Sequence, residues 1–277
     1  MADPAALPHL LSMLDDESPV VREALIRELG AYGPELESEI ARLDLKLSSE
    51  HWRQLALLRA SARRQALVAA WPEWFDLPDI EQLERAQSLL AEFIEDRPRP
   101  GYLTKLLDEL AADCQSRAEV PDSYELANFL FEERGIRGEH ADYYAPLNSS
   151  LGHVIEAKRG NPISLCCVYK LVGARLDIPI DGLNFPGHFM ARAKLGNETV
   201  IVDCFSGARF MSLHSFREMA RRHADPDQFL VEPVPAKSIV RRVLNNLMHA
   251  YSITEDAASI DILKQLATPL EDSTSRD

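Results

Sequence analysis

The chain has 277 residues, 46% of them hydrophobic, and a formal net charge of −14, so it belongs among globular proteins of one large or two smaller domains. A surface this acidic repels phosphate backbones, and nucleic acid is not an expected partner; the densest basic pair, Arg241–Arg242, reads as the solvated face of a helix. The first eight residues lack a signal-peptide pattern and no apolar run approaches the roughly 18 residues that span a bilayer, so no membrane partner is expected. The four cysteines, Cys114, Cys166, Cys167 and Cys204, form no CxxC pair and read as small buried residues in a reducing cytoplasm, with neither metal nor cofactor expected.

Residues 1–70 read as helical. Leu7, Leu10, Leu11 and Leu14 recur at helical spacing, an acidic turn follows at Asp15–Ser18, and Val20, Val21, Ala24, Leu25 and Leu29 form the next stripe. The stretch LPHLLSMLDDESPVVREALIRELG resembles one HEAT repeat, two antiparallel helices about an acidic turn; a single repeat needs neighbours to bury its face. Leu43–Ala70 continues as helix. Residues 71–121 form a helical lead-in punctuated by Pro72, Pro78, Pro98, Pro100 and Pro121, with amphipathic faces on Leu83–Phe93 and Leu103–Leu110.

From Asp122 the texture changes. A helix is predicted over Ser123–Glu133, ended by Gly135 and Gly138, and another to about Lys158 capped by Asn148 or Ser149. Asn161 caps a long helix with Pro162 at its first position, running to about Leu176. Ile163, Leu165, Cys166, Cys167, Val168, Leu171 and Val172 make it apolar on most sides, the mark of a central buried helix. Strands are predicted over Ile178–Leu183, Asn184–Lys194 and Thr199–Phe205, the last two joined at Gly196-Asn197 as a hairpin. Helices return at Leu213–Arg222, Ala236–Tyr251 and Ala257–Leu266, and residues 271–277 form a polar tail.

The hairpin sets a register. With Leu195 opposite Glu198, Phe189, Ala191, Ala193, Val200, Val202 and Cys204 share one apolar face. The other, wetter face carries His188, Met190, Arg192, Ile201, Asp203 and Phe205. His188 and Asp203 are then diagonal neighbours, roughly 7–8 Å apart at the backbone and within reach of a histidine–carboxylate hydrogen bond. Such a pair fixes an imidazole tautomer for catalysis, or ties two strands together; the pattern alone suits both roles.

The segments RGNPISLCCVYKLVGARLDIP, GLNFPGHFMAR and VIVDCFSG resemble the core of the transglutaminase-like superfamily. With FLFEERGIRG, DYYAPLNSSLGHVIEAKRG and VRRVLNNLMHAYS they resemble more closely the bacterial SirB-type proteins, over residues 75–265. The expected fold is α+β. Residues 1–70, outside this resemblance, form a mostly helical N-terminal region; the resemblance implies a papain/transglutaminase-like core over 71–235 with a central buried helix on a small antiparallel sheet, and tetratricopeptide-like helices over 236–270.

In catalytic members a cysteine opens the central helix, where the helix dipole favours thiolate, and a histidine and aspartate complete a triad. His188 and Asp203 match the latter two, but Pro162 stands where the cysteine should be. Ser164 lies about 200° around the helix from it, and Cys166 sits one turn deeper, about 6 Å along the axis; their plainer readings are a serine bonding the helix start and a core residue. Asn161, Arg159 and Arg192 are candidate binding residues. The expected function is a non-catalytic module binding a peptide or protein segment; the alternative is acyl transfer or amide hydrolysis by His188 and Asp203 with Ser164 or Cys166 as nucleophile.

Overall fold

A computed structural model describes residues 3–95, 99–117, 120–221, 226–230 and 233–270; the polar tail expected at 271–277 lies outside them, as does Arg222. The fold is α+β. The chain forms two compact units, residues 1–71 with 92–99, and residues 72–91 with 100–277.

In the first unit α1 (Leu7–Ser12), α2 (Pro19–Gly30), α3 (Leu36–Arg42) and α4 (Ser49–Ala70) share a core of Leu7, Leu11, Leu25, Leu29, Leu36 and Leu55. Each helix turns one leucine stripe inward. The unbroken helix expected from Leu43 is interrupted. Asp44 takes a φ of 49°, and Ser48 restarts the helix as N-cap of α4, its hydroxyl accepting from the His51 N–H at 3.1 Å, which satisfies an otherwise orphaned donor.

The second unit begins with α5 (Asp79–Ile94), all but whose last turn belongs to it, and α6 (Tyr102–Gln115). Asp122 and Glu125 form a reciprocal capping box at α7 (Ser123–Ala127), as the Asp-x-x-Glu spacing favours. The helix expected to run on to Glu133 changes pitch, and Asn128–Glu133 winds as a π-helix. Three successive apolar side chains, Phe129, Leu130 and Phe131, are buried there; the wider turn narrows their angular spread.

Next come β1 (Arg137–Gly138), α8 (Leu151–Ala157), β2 (Arg159–Gly160) and α9 (Pro162–Arg175), with β1 and β2 paired in parallel. Ser150, not Asn148 or Ser149, caps α8; those two residues sit in the preceding turn, Pro146–Ser149. The close approach of β1 to the main sheet requires Gly138, since a Cβ there would lie 2.8 Å from the Phe205 carbonyl oxygen. Helix α9 is buried from Pro162 through Tyr169 and again at Leu171–Gly173, as its all-round apolar sequence predicts. Each large apolar side chain so covered contributes about 1.5–3 kcal/mol.

The main sheet is an antiparallel meander of β3 (Ile180–Phe185), β4 (His188–Leu195), β5 (Glu198–Asp203) and β6 (Arg209–Ser212). Leu195 pairs with Glu198 and Ala191 with Val202, the register that the two-residue turn predicts. The short edge strand β6 was not anticipated, and β3 starts two residues later than expected.

The largest departure concerns the face assigned to solvent. Leu183, Phe185, Met190 and Ile201 pack there with Phe216 and Ala220 of α10 (Leu213–Ala220) in a second core. The Phe185 and Phe216 rings meet edge-on at 5.6 Å. Both faces of the sheet are therefore covered. The opposite face meets α9, where a Cβ on Gly173 would touch Ile180 at 2.6 Å, and α11 (Ala236–Ile253), whose Ile239 approaches Gly182. Helix α12 (Ala257–Ala267) packs on α11 and closes the described chain.

Candidate functional site

The start of α9 is a closed polar network. Asn161, 5% exposed, accepts the Ser164 N–H at 3.0 Å through Oδ1 and donates from Nδ2 to Ser149 Oγ at 2.9 Å. Ser164 is 1% exposed. Its one hydroxyl proton faces two acceptors, the Asn148 carbonyl at 2.7 Å and Asn161 Oδ1 at 3.1 Å. A buried hydroxyl bonded in this way stabilises the helix start and is not aimed at an imidazole. Pro162 occupies the first helical position and offers no nucleophile.

One turn deeper, Cys166 is 2% exposed and its thiol lies 3.7 Å from the Phe189 carbonyl oxygen. Burial above all, with the neighbouring Cys204 and the charge of Asp203, holds this thiol well above the ordinary range. Burial does the same to Cys167, with Cys166 adding to it. An activated nucleophile needs the reverse, a thiolate favoured near neutral pH. All four cysteines are free and buried.

His188 opens β4 and Asp203 closes β5. The sheet alternation puts both side chains on the face that packs on α10, opposite the face that α9 covers, at the ribbon end near the first turns of α9, where Cys166 touches Phe189 while Gly173 meets Ile180 at the other end. They are neighbours in position but not in bonding. No hydrogen bond joins them: His188 Nδ1 is buried without a partner, while Asp203, 4% exposed, accepts the Ser206 N–H at 3.2 Å. The His188 backbone is held elsewhere, its carbonyl accepting from Arg242 at 3.0 Å.

Arg242 corrects the expectation of a solvated basic face. Its guanidinium reaches the Asn184 side chain and the Phe185 carbonyl and stands 5.6 Å from the centre of the Phe189 ring. Burial lowers its pKa. Of the other candidate arginines, Arg192 bonds Asp181 at 3.1 Å and the Leu230 carbonyl at 2.7 Å, and Arg159 turns back to the Lys158 carbonyl at 2.9 Å. Both are engaged within the fold.

Beside Asn161 lies a small cleft, open to solvent, bounded by Tyr143, Tyr144, Ser149, Asn246 and His249. Asn148 positions its rim, donating from its side-chain amide to the carbonyls of Asp142 and Tyr143 at 2.6 and 3.1 Å. Tyr144 meets His249 edge-on at 4.7 Å. Sequence reasoning missed these residues, although a signal exists: Arg242, Asn246 and His249 recur at i, i+4 and i+7 on the polar side of α11, and so share one face. Among the described residues no group of three or more His, Cys, Asp or Glu side chains gathers where an ion could sit.

In a comparison of the whole chain, residues 102–245, just over half of it, match the family described as transglutaminase-like. The chain belongs to the transglutaminase-like superfamily. This transglutaminase-like protein is 40% identical over 134 residues to a UPF0162 protein of Xylella fastidiosa, a match covering 46% of this chain and 48% of that one. It is 27% identical over 162 residues to a UPF0162 protein of Pseudomonas aeruginosa, covering 55% and 58%. It is 26% identical over 127 residues to F-box only protein 21 of Mus musculus, covering 43% of this chain and 20% of that protein. The chain thus spans about half the length of these bacterial relatives. No solved structure matches it.

Proposed function

We propose that this transglutaminase-like domain binds a peptide or protein segment in the cleft beside Asn161 and performs no chemistry on it. The observation that carries this reading is the closed helix start: the Ser164 hydroxyl is bonded to Asn148 and Asn161, and Pro162, which the family resemblance aligns with the nucleophile, opens the helix. The aromatic and amide groups of Tyr143, Tyr144 and Asn246 along the cleft suit a partner that presents both apolar and hydrogen-bonding groups. On this reading the protein is a cytoplasmic SirB-type member, with the HEAT-like segment and the tetratricopeptide-like α11–α12 pair as further partner surfaces. No described helix is long and apolar enough to cross a membrane.

The alternative is acyl transfer or amide hydrolysis with His188 as base, Asp203 as its orienter and Ser164 or Cys166 as nucleophile. One feature favours it, the buried Nδ1 of His188 that lacks a partner, since an unsatisfied polar group is an unusual thing for a fold to keep.

The test selects peptides from a displayed random library on the full chain, then measures their affinity for a Tyr143→Ala/His249→Ala variant and assays ammonia release from the same peptides. Binding that falls about tenfold in the variant, without ammonia release, is the expected result. Equal binding by the variant overturns the cleft assignment. Ammonia release abolished by His188→Ala overturns the non-catalytic reading.

A further inference from the structure

A second cleft in the same unit has a different chemistry. Its wall is apolar, made by Leu106 and Leu110 of α6, Ile136, and Ile155 of α8; Leu110 and Ile136 are buried. Four charged side chains complete the lining, and their charges cancel: Glu109 and Asp113 against Arg134 and Lys158.

These four are not equivalent. Arg134 and Asp113 pair with each other, and the Arg134 guanidinium also lies 5.1 Å from the centre of the Phe129 ring. Its Nε is nevertheless enclosed and has no hydrogen-bond partner. Lys158, exposed and held at a φ of 59° just past the end of α8, makes no ion pair with a described residue. Glu109 has only a loose contact with Lys105 at 3.7 Å, both side chains being mostly exposed; such a pair contributes little.

A ligand of one sign would meet a like charge on this rim, and a wholly apolar ligand would crowd Glu109 and Lys158 with nothing in return. A small zwitterion with an apolar branch meets every requirement. Its ammonium faces Glu109, its carboxylate faces Lys158, and its side chain covers the leucine and isoleucine wall. We propose that this cleft is a binding site for a free α-amino acid with a large apolar side chain. The proposal is independent of the cleft beside Asn161 and of whether that site is catalytic.

Isothermal titration calorimetry on the full chain tests it with L-leucine and L-phenylalanine, and with leucinamide and N-acetyl-leucine, which lack the carboxylate and the ammonium charge respectively. The expected result is saturable binding of at least one free amino acid, weakened about tenfold by either modification and by either Lys158→Gln or Glu109→Gln. Both positions are exposed, so an unchanged Tm is expected and confirms that each variant is folded. Three results overturn the proposal: no binding of either amino acid up to about 10 mM; leucinamide or N-acetyl-leucine binding as tightly as leucine, which signifies an apolar anchor or a peptide terminus instead; or both charge variants binding like the wild type.

Discussion

The start of α9 and the nearby end of the β4–β5 ribbon are opposite in character. At the helix start, Asn161 and Ser164 are buried and joined to each other, to Ser149 and to Asn148. At the ribbon end, His188 keeps a buried ring nitrogen without a partner while Asp203 bonds a backbone amide of its own turn. A working triad distributes its bonds the other way: the nucleophile is free to move toward substrate and the imidazole is fixed by its carboxylate. Here the Ser164 hydroxyl is held by its bonds and the imidazole is uncommitted. Proline at the first helical position favours the helix backbone, so this arrangement favours stability of the helix over reactivity.

The sharpest test of that contrast removes the network. Asn161→Ala deletes an N-cap and leaves buried partners at Ser164 and Ser149 unsatisfied, and is expected to lower stability by about 3 kcal/mol, measured by urea denaturation. A loss below about 1 kcal/mol would show that the helix start is not the anchor described here.

Alkaline pH probes the thiols next to it. Folded-state values for Cys166 and Cys167 lie above the ordinary 9.0, so their contribution is fully present below about pH 9 and is lost as pH rises toward the folded values. Each still-protonated thiol then contributes a fall of about 1.4 kcal/mol per pH unit above 9. Cys166→Ala and Cys167→Ala should each flatten the slope of denaturation midpoint against pH; unchanged slopes would contradict the burial account. In the native state near pH 8 neither thiol should react with iodoacetamide, whereas both should react in urea; mass spectrometry reads the difference.

The smallest effect belongs to the ribbon. In a double-mutant cycle of His188→Ala and Asp203→Ala, the coupling energy is expected below about 0.5 kcal/mol, because no hydrogen bond links the two side chains. Coupling of about 2 kcal/mol would mean that a histidine–carboxylate bond forms in solution, and would bring the ribbon back toward the catalytic pattern.

Several features were open to reading from local chemistry alone. The Gly196-Asn197 turn with alternating side chains on either side settles the β4–β5 register, since a one-residue slip would turn Phe189, Ala191 and Val202 away from α9 and put His188, Arg192 and Asp203 there. Asn161-Pro162 marks the start of α9, and apolar residues on every side of it announce burial. Both depend on residues close together in the chain, where turn type and periodicity act directly.

What local pattern left open was decided by elements distant in sequence. The face of the ribbon carrying His188 looked wet because it alternates histidine, arginine and aspartate with methionine and isoleucine; Phe216 and Ala220 of α10 arrive to cover it. Arg242 looked like a solvated charge until α11 docked and gave it the Asn184 side chain and the His188 carbonyl. The sequence by itself determined the start and burial of α9, the ribbon register and which residue types stand at each candidate position. Only tertiary packing decided which of those side chains share a hydrogen bond, because bond partners separated by tens of residues meet through docking of whole elements and leave no periodic trace in the chain.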